Sequence, residues 1–412
     1  MKIVHISASE KTGGAALAAN RLNTAYIENN DDSIMLVLNR TTSKEGVYTY
    51  MEGKKSLFLK IKQLFLEKMK RLLMSPSYTF SLGWCGYNLH NSKLVKDADV
   101  IYIHWIGFNF LSIRGISKIL KLNKPTFIYM HDMWLITGGC HHSFACNQYK
   151  STCSNCPIIR NRYFKFFSSI TYKLKNKYLS KQKKLHIIVP SRWMEECVKK
   201  STLFNSSDIN LIPNLIDTNI FKPTNKEWAR NILNLPKNKK LILFGAFGGK
   251  SDKYKGWDYL VSAISLLNRT DIAIVLFGGY LNDDETKQFD CPVYSLGYLY
   301  DEYSTVLMYN AVDVYVTPSL AESFGLTIQE SIACGTLAVG FNVGGIPDLI
   351  KHKITGYLAK FKDIKDLADG INWGLEHCNT ISREELNLYI DKNFSSRVVL
   401  EKHKAIYNNQ SI

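Results

Sequence analysis

The sequence contains no run of about 18 apolar residues, so we expect no membrane-spanning helix. Its first residues, Met1–Ile6, enter a strand pattern directly. They show no charged leader, no long apolar segment and no small-residue cleavage site, so we expect no signal peptide and a cytoplasmic protein. Short repeats and low-complexity tracts are also absent. Because 46% of the residues are hydrophobic and 21% are charged, the composition excludes a disordered or fibrous protein.

The length and the charge distribution indicate two unlike domains. A chain of 412 residues is too long for one ordinary core and suits two domains of about 200 residues each. Residues 1–215 contain 31 Lys and Arg against 13 Asp and Glu, a net charge of +18, and the remainder contains 21 against 23, a net charge of −2. A general coding preference for lysine would raise the charge of both halves. The imbalance therefore indicates that the first domain faces an anionic surface.

Short apolar strands alternate with helical segments, which is typical of a parallel sheet covered on both faces. The predicted elements of the first half are the strands Lys2–Ser7, Ser33–Asn39, Asp99–Trp105, Thr126–His131 and His186–Ser191 and a helix over Ala15–Asn29. After a strand at Asn210–Asp217 the pattern restarts with Lys240–Phe244, Ile272–Phe277, Val293–Leu296, Val312–Thr317 and Leu337–Phe341. We therefore predict two doubly wound α/β domains, 1–215 and 216–395, and a closing helix in 396–412 that could cross back to the first domain.

Three turns that follow strands carry residue types suited to binding a ligand. Gly13 and Gly14 open the first helix, where the backbone can approach a phosphate and the helix N-terminus offers N–H groups. This turn is neither a GxGxxG nor a Walker loop, and a plain tight turn explains it equally well. Glu322 and Glu330 lie eight residues apart, and carboxylates accept hydrogen bonds from sugar hydroxyls, although glutamates near a helix start also serve as caps. The third turn, Asn342–Asp348, again has paired glycines.

These residues resemble those of the family 4 retaining glycosyltransferases, which have the GT-B fold. Glu322 to Glu330 matches the family's E-x7-E motif, within P-S-x-x-E-x-F-G and E-x-x-A-x-G-x-x-x-V. The V-G-G-I-P-D turn at Val343–Asp348, the T-G-Y-L segment around Gly356 and the I-P-N segment before Leu215 are similar as well, although Leu215 replaces the usual glycine. The resemblance covers most of the second domain and is looser in the first. It implies two Rossmann-like domains that face each other across a cleft.

The resemblance also implies a role for each matching residue. Glu330 would bind the nucleotide ribose, Glu322 would contact the transferred sugar, and the N–H of Gly14 would hold the donor diphosphate. His131, in the His131-Asp132 pair, would lie beside the donor sugar. The predicted catalytic residues are His131, Glu322 and Lys255. The predicted donor-binding residues are Gly13, Gly14, Lys250, Lys255, Glu322, Phe324, Gly325, Leu326 and Glu330.

The first turn of the second domain departs from the family pattern G-R-x5-K-G. Lys255-Gly256 matches its end, but an apolar residue stands at the arginine position, and Lys250 is the candidate substitute. The resemblance implies retention at the anomeric carbon, with the leaving diphosphate deprotonating the acceptor hydroxyl while helix N-termini and lysine stabilise its charge. We therefore expect no catalytic metal. The D-x-D at Asp97–Asp99 begins a buried strand, which favours a structural role.

Four of the nine cysteines lie within 17 residues, at Cys140, Cys146, Cys153 and Cys156. In a reducing compartment such a group favours a metal site over disulfides, and four thiolates suit tetrahedral zinc. The loop has too few apolar residues to order itself, so zinc would supply folding energy. Two disulfides, a histidine ligand from His141 or His142, and free thiols are the alternatives.

The leading functional hypothesis is a hexosyltransferase that uses a UDP- or GDP-sugar and a lipid-linked glycan acceptor in cell-surface polysaccharide, such as lipopolysaccharide, biosynthesis. Lys54–Met74 and Arg160–Lys184 mix basic and apolar residues, as helices do that lie on anionic membranes. They predict a peripheral protein on the inner face of the membrane, although a core-facing helix with a basic rim explains them nearly as well. The alternatives are a nucleotide-sugar epimerase with the same fold and a non-catalytic basic binding protein. No nucleic-acid module is recognisable, so nucleic acid is not an expected partner.

Overall fold

The computed structural model describes residues 1–50, 57–74, 78–245, 253–279 and 283–408. Within these ranges the chain forms two compact units. The first comprises residues 1–214 and the chain from Leu400, and the second comprises Leu215–Val399. Each unit is built on one β-sheet in which neighbouring strands run parallel.

The first unit has a seven-stranded sheet in the order β3-β2-β1-β4-β5-β6-β7. The strands are β1 (Lys2–Ser9), β2 (Asp32–Asn39), β3 (Val47–Thr49), β4 (Val100–Ile103), β5 (Thr126–Tyr129), β6 (Leu185–Val189) and β7 (Ile209–Leu211). The helices are α1 (Gly14–Glu28), α2 (Leu57–Leu73), α3 (Lys93–Asp97), α4 (Ile113–Leu120), α5 (Phe166–Tyr178) and α6 (Arg192–Lys200).

The second unit has a six-stranded sheet in the order β10-β9-β8-β11-β12-β13. The strands are β8 (Lys240–Gly245), β9 (Ile272–Phe277), β10 (Val293–Ser295), β11 (Val314–Thr317), β12 (Leu337–Phe341) and β13 (Gly356–Ala359). The helices are α7 (Lys226–Ile232), α8 (Trp257–Leu266), α9 (Asp283–Thr286), α10 (Glu302–Ala311), α11 (Leu326–Ala333), α12 (Ile346–Leu349), α13 (Ile364–His377), α14 (Arg383–Phe394) and α15 (Ser396–Asn408), the last of which continues into the first unit.

Local sequence explains where these elements begin. The central strands are apolar on both faces because helices cover both sides of the sheet, and β4, β5 and β12 are buried along their whole length. Several helices start at a polar cap whose side-chain oxygen accepts a backbone N–H of the first turn, as Ser112 does for α4, Asn225 for α7 and Asp301 for α10. Each cap satisfies a donor that the helix itself leaves unpaired.

The prediction of two doubly wound parallel-sheet domains is confirmed. The sequence did not reveal β3 and β13, which lie at sheet edges and have three and four residues, too few to show a periodic pattern. The strand expected at Asn210–Asp217 is shorter, because pairing with β6 ends at Leu211, two residues before Pro213. A proline has no N–H to donate to a neighbouring strand.

The closing helix α15 begins in the second unit and ends in the first. His403 is fully buried in the first unit, with its Nδ1 3.2 Å from the hydroxyl of Tyr102 on β4. Lys404 forms an ion pair with Asp31, with a distance of 2.7 Å between Nζ and Oδ2. Among the described residues, no helix combines the length and apolar character needed to cross a membrane.

Candidate functional site

In the second unit, the candidate site lies at the carboxyl ends of β8 and β11. These strands are neighbours, but the sheet continues from β8 to β9 on one side and from β11 to β12 on the other. A doubly wound sheet opens a crevice at such a switch point, and ligands bind there. Lys255 follows β8 and Glu322 follows β11, and the Lys255 Nζ lies 3.2 Å from the Glu322 Oε2. Both side chains keep a solvent-exposed fraction, 25% for Lys255 and 20% for Glu322.

The turn at Lys255-Gly256 is shaped by close packing against the loop after β11. Gly256 has a positive φ of 80°, and a Cβ added there would lie 1.9 Å from the carbonyl oxygen of Pro318. The backbone N–H of Leu320 donates to the carbonyl of Tyr254 at 2.7 Å. Only glycine fits this position, because any side chain would collide with backbone. This contact packs the Lys255-Gly256 turn against the Pro318-Ser319 segment that precedes Glu322. It therefore places Lys255 beside Glu322.

The paired glycines after β12 support Glu322 from its other side. Gly344 has a φ of 59°, and a Cβ added there would lie 2.0 Å from the Glu322 carbonyl oxygen. The N–H of Gly345 donates to the same oxygen at 2.9 Å. The Asn342–Asp348 turn therefore fixes the backbone at Glu322.

The Lys255 and Glu322 pair is electrostatically matched. Partial burial by itself lowers the pKa of Lys255, but the Glu322 carboxylate outweighs burial and raises it above its usual value. Lys255 is therefore protonated at neutral pH. A fixed ammonium beside a carboxylate can bind an anionic group and a hydroxyl at the same time.

Glu330 has a different environment from Glu322. It lies on α11, is only 4% exposed and accepts a hydrogen bond from the hydroxyl of Tyr309 at 3.1 Å. Gly325, with a φ of 106°, caps α11, and Phe324 before it is buried in the core. Leu326 opens the helix and packs against the same core. The predicted donor-binding residues Phe324, Gly325, Leu326 and Glu330 thus follow directly after Glu322 in the loop after β11 and on α11. Lys250 lies outside the described residues.

The first unit contains the first of the three predicted turns, the Gly13–Gly14 turn at the carboxyl end of β1. Gly13 has a φ of 88° and precedes α1, and a Cβ added there would meet no atom within 4 Å. Gly13 and Gly14 are both exposed, and the first turn of α1 has no acidic residue. An open helix start of this kind suits an anion. The role of these glycines in binding a diphosphate stays a prediction.

His131 follows β5 and belongs to a chain of three imidazoles. Its Nε2 lies 3.0 Å from His104 Nδ1, and His104 Nε2 lies 3.0 Å from His5 Nδ1. Burial lowers the pKa of His131 to about 4, against a smaller opposite effect of Asp132, and lowers the pKa of His5 to about 3. All three rings are therefore neutral at physiological pH, and each can donate at one nitrogen and accept at the other.

A cavity beside His131 contains a second polar group that the sequence did not reveal. His104, Trp105, His131, Asp132 and His141 all contribute to its lining. His141 Nδ1 lies 2.5 Å from Asp132 Oδ2, and His141 Nε2 lies 2.9 Å from the Ser81 hydroxyl oxygen. Burial opposes ionisation of Asp132, but His141 and the N–H of Trp134 lower its pKa below the usual value.

Two signals could have pointed to this cavity. His104 and His131 each stand at the end of an apolar strand in the pattern Ile-Tyr-x-His, so both were candidates for one edge of the sheet. Asp132 was visible in the His131-Asp132 pair. Nothing local connects Ser81 to His141, 60 residues later, so only the folded chain brings these two together.

The four clustered cysteines line a second cavity of the first unit, next to Phe80, Tyr149 and Ile158. Burial raises the pKa of Cys140 to about 12 and that of Cys153 to about 11, and it raises the pKa of Cys156 as well. Within the described part of the chain, no three His, Cys, Asp or Glu side chains are gathered so that they could hold a metal ion. The structure therefore differs from the assembled zinc site predicted from the spacing. Neutral thiols do not attract one another, so nothing draws them to the ligating distance by itself.

Comparisons with known proteins show what part of the chain is similar to. Residues 225–392 match the family model of glycosyl transferases group 1. The chain is 30% identical over 181 residues to D-inositol 3-phosphate glycosyltransferase of Mycolicibacterium smegmatis, a stretch that covers 40% of this chain and only 39% of that relative. It is 28% identical over 343 residues to the uncharacterized glycosyltransferase MJ1607 of Methanocaldococcus jannaschii, covering 79% of this chain and 82% of the relative.

A solved structure shows the same architecture over the whole chain. HepE from Anabaena, in complex with UDP and glucose, matches with a TM-score of 0.67 and 17% identity, covering 99% of both chains. At this identity the likeness shows the fold and no more. Residues 225–392 are thus similar to glycosyl transferases group 1, and the chain has the GT-B fold.

Proposed function

We propose that this protein is a retaining glycosyltransferase of family 4 that transfers a hexose from a UDP- or GDP-sugar to a lipid-linked glycan acceptor in cell-surface polysaccharide biosynthesis. The observation that carries the proposal is the Lys255 and Glu322 pair at the switch point of the domain that matches glycosyl transferases group 1. HepE, which shares the fold, binds UDP and glucose. These findings support a nucleotide-sugar donor. The basic first domain supports an acceptor that lies at an anionic surface.

The chemistry of the site suits a sugar diphosphate. Lys255 binds the diphosphate and neutralises its charge as the bond between the diphosphate and the sugar breaks. Glu322 accepts a hydrogen bond from a hydroxyl of the transferred sugar. Glu330 accepts a hydrogen bond from a ribose hydroxyl, and the Tyr309 hydroxyl, which donates to the Glu330 carboxylate, holds that carboxylate in place. A phosphate oxygen of the leaving group takes the proton of the acceptor hydroxyl on the same face, which retains the configuration. The role of His131 beside the donor sugar stays a prediction from the family resemblance, and burial keeps its imidazole neutral.

A panel of nucleotide sugars tests the proposal. Purified protein is incubated with each UDP- and GDP-sugar and with a lipid-linked glycan extract, and the released nucleotide and the anomeric configuration of the product are measured. We expect one donor to be consumed only when acceptor is present, with retention. Inversion would contradict the mechanism. Release of an epimerised nucleotide sugar without acceptor would support the epimerase alternative instead.

Two variants separate the roles of the carboxylates. Loss of a hydrogen bond to a charged group costs about 1.5–3 kcal/mol. We expect Glu330→Ala to weaken donor binding and Glu322→Ala to lower turnover more than affinity. If Glu330→Ala retained wild-type activity and donor affinity, the assignment of the site would be wrong.

We also propose that the first unit docks on the inner membrane leaflet through α2. Ile61, Leu64 and Phe65 on this helix are 57%, 71% and 64% exposed, whereas Leu66 packs into the core. The exposed residues Lys62, Lys68 and Arg71 lie on the same helix. A helix that faced the core would bury Ile61, Leu64 and Phe65. Their exposure therefore favours an interface with a membrane over the basic-rim interpretation. Each basic residue near an anionic surface contributes about 1 kcal/mol.

Liposome co-sedimentation tests docking. We expect binding that requires anionic lipid, weakens with salt and falls when Lys62, Lys68 and Arg71 are replaced by Glu. Lys360, Lys362 and Lys365 of the second unit are also exposed, and their replacement by Glu is the matched change of charge. Binding that falls equally in both variants, or no binding to any liposome, would contradict the proposal.

A further inference from the structure

We propose that His5 and His104 hold His131 in one tautomer, with the Nδ1–H of His131 directed at the cavity. His131 then binds a ligand as a hydrogen-bond donor and cannot accept a proton from it, and His5 and His104 are positioning residues. The tautomer is independent of the proposed function, whereas its meaning for a sugar ligand rests on that function.

The three imidazoles lie in a row across neighbouring strands of the first unit. His5 lies on β1, His104 directly follows β4 and His131 is the second residue after β5, and these strands are adjacent in the order β1-β4-β5. His131 Nε2 lies 3.0 Å from His104 Nδ1, and His104 Nε2 lies 3.0 Å from His5 Nδ1. The row therefore ends at His5 Nε2 inside the core and at His131 Nδ1, on a residue that lines the cavity.

Each contact in the row requires one proton between its two nitrogens. Burial lowers the pKa of His131 to about 4, that of His5 to about 3 and that of His104 well below its usual value. Each ring is therefore neutral and carries a single N–H. Two facing lone pairs, or two facing N–H groups, would repel each other at 3.0 Å. Only two arrangements satisfy both contacts, one with all three protons on Nδ1 and one with all three on Nε2.

The buried end of the row selects between these two arrangements. His5 is fully buried, and its Nε2 has no hydrogen-bond partner among the residues that the structure describes. Protons on Nε2 would leave an N–H donor at this position, and buried N–H groups without an acceptor are rarer than buried acceptors without a donor. Protons on Nδ1 leave only a lone pair at His5 and place an N–H on the partly exposed His131. The row therefore directs its donor toward the cavity.

Asp132 gives the cavity the opposite hydrogen-bonding character. Its Oδ1 accepts the N–H of Trp134 at 2.7 Å, its Oδ2 lies 2.5 Å from His141 Nδ1, and both contacts favour the ionised carboxylate. A carboxylate only accepts, and it has lone pairs beyond these two contacts. A hydroxyl accepts from His131 and donates to Asp132, whereas an ionised phosphate only accepts and is repelled by the Asp132 charge. The pair therefore selects a sugar hydroxyl over a diphosphate, and the proton of the acceptor hydroxyl is left to the leaving phosphate.

Nitrogen-15 NMR of the full-length protein tests the tautomer directly. Protein labelled with 15N-histidine is recorded at neutral pH without ligand, and a long-range 1H–15N correlation distinguishes the ring nitrogen that carries the proton from the one that does not. The signals of His131 are assigned by their loss in His131→Gln. We expect His131, His104 and His5 each to carry one proton, on Nδ1. A proton on Nε2 of His131, protons on both of its nitrogens, or averaged 15N frequencies would overturn the proposal, whether or not the protein transfers sugars.

Two substitutions of His104 test whether it positions His131. His104→Gln retains an N–H donor for His131 and a carbonyl acceptor for His5, so we expect the proton of His131 to stay on Nδ1. His104→Phe fills the position with an apolar ring that offers neither group. The His131 ring can then turn over, and its two 15N frequencies should move toward their average. His186→Gln, which changes a histidine of β6 that pairs with Asp208, is the control and should leave the His131 signals unchanged.

The outcomes separate this proposal from the proposed function. Unchanged His131 frequencies in folded His104→Phe would show that packing alone sets the tautomer, and would overturn the positioning role of His104. If the His104 variants do not fold, the wild-type spectrum still decides the tautomer. A protein that consumes no nucleotide sugar but carries the His131 proton on Nδ1 would refute the proposed function and leave the tautomer established.

Discussion

Replacement of Lys255 by methionine tests the centre of the proposed site. Methionine retains most of the length and apolar stem of lysine but removes the ammonium. In the structure, this ammonium lies 3.2 Å from the Glu322 carboxylate and is partly shielded from water. The substitution therefore removes the cation for the diphosphate and the ion pair between Lys255 and Glu322.

The expected effect follows from the chemistry of the contact. A hydrogen bond from a charged donor contributes about 1.5–3 kcal/mol, and each 1.36 kcal/mol corresponds to roughly a tenfold change in rate. We therefore expect kcat/KM for the donor to fall roughly 10- to 150-fold. Lys255→Arg should recover part of this loss because it restores the positive charge.

Lys226 provides a matched control. Its ammonium is 2.9 Å from the carboxylate of Asp313, and its side chain is 23% exposed, close to the 25% of Lys255. Lys226→Met thus removes a similar ion pair from the same unit. It should lower stability without changing donor affinity, because Asp313 precedes β11 at the end of the sheet opposite Glu322.

Steady-state kinetics with the identified donor and urea unfolding of both variants provide the measurements. The reasoning would be refuted if Lys255→Met and Lys226→Met had the same effect on kcat/KM. It would also be refuted if Lys255→Met lowered stability alone, since the pair would then be an ordinary structural ion pair.

Three further predictions follow from the same structure. Gly256→Ala should displace the loop after β11 and lower both stability and activity. Gly13→Ala meets no atom within 4 Å, so in urea unfolding it should cost only the roughly 1–3 kcal/mol of a side chain held at a φ of 88° and a ψ of 158°, a conformation that suits glycine alone; equal losses would contradict the packing argument. Asp313 has a pKa lowered, despite burial, by Lys226, the Leu241 N–H and Arg230, so its stabilisation is present above the ordinary value of 3.8 and is lost as pH falls through the lower folded value. Asp313→Asn should therefore be about 3 kcal/mol less stable at pH 7, and the difference should narrow in acid urea titrations rather than stay constant. Because burial lowers the pKa of His131 to about 4, His131 should stay neutral from pH 5 to 8, and a kinetic transition near pH 6.5 that vanishes in His131→Gln would show otherwise.

The linear order of strands, turns and carboxylates was sufficient to predict much of this protein. Continuous apolar strands between helices predicted two parallel-sheet domains because strands covered on both faces must be apolar throughout. The eight-residue spacing of Glu322 and Glu330 and the Lys255-Gly256 pair identified one site in the second domain. These signals are local, since each lies at a strand end and the sheet topology determines where strand ends meet.

Contacts between distant segments were decided only by tertiary structure. The sequence does not show that Lys255 pairs with Glu322, 67 residues later, or that Gly256 must be a glycine because Pro318 lies against it. It does not show that Glu322 is partly exposed whereas Glu330 is buried against Tyr309. Burial and partner choice depend on packing between elements, which no local pattern encodes.

The first unit shows the same division. The sequence showed the four cysteines as a group because their spacing is local, and the family resemblance pointed to His131, which ends a predicted strand. Only the folded chain places His104 and His5 in line with His131 and connects Ser81, His141 and Asp132 around one cavity. It also exposes the apolar side chains of α2, since an amphipathic pattern does not determine which helix face packs against the core. Sequence thus determined which elements form, and long-range packing determined which side chains meet.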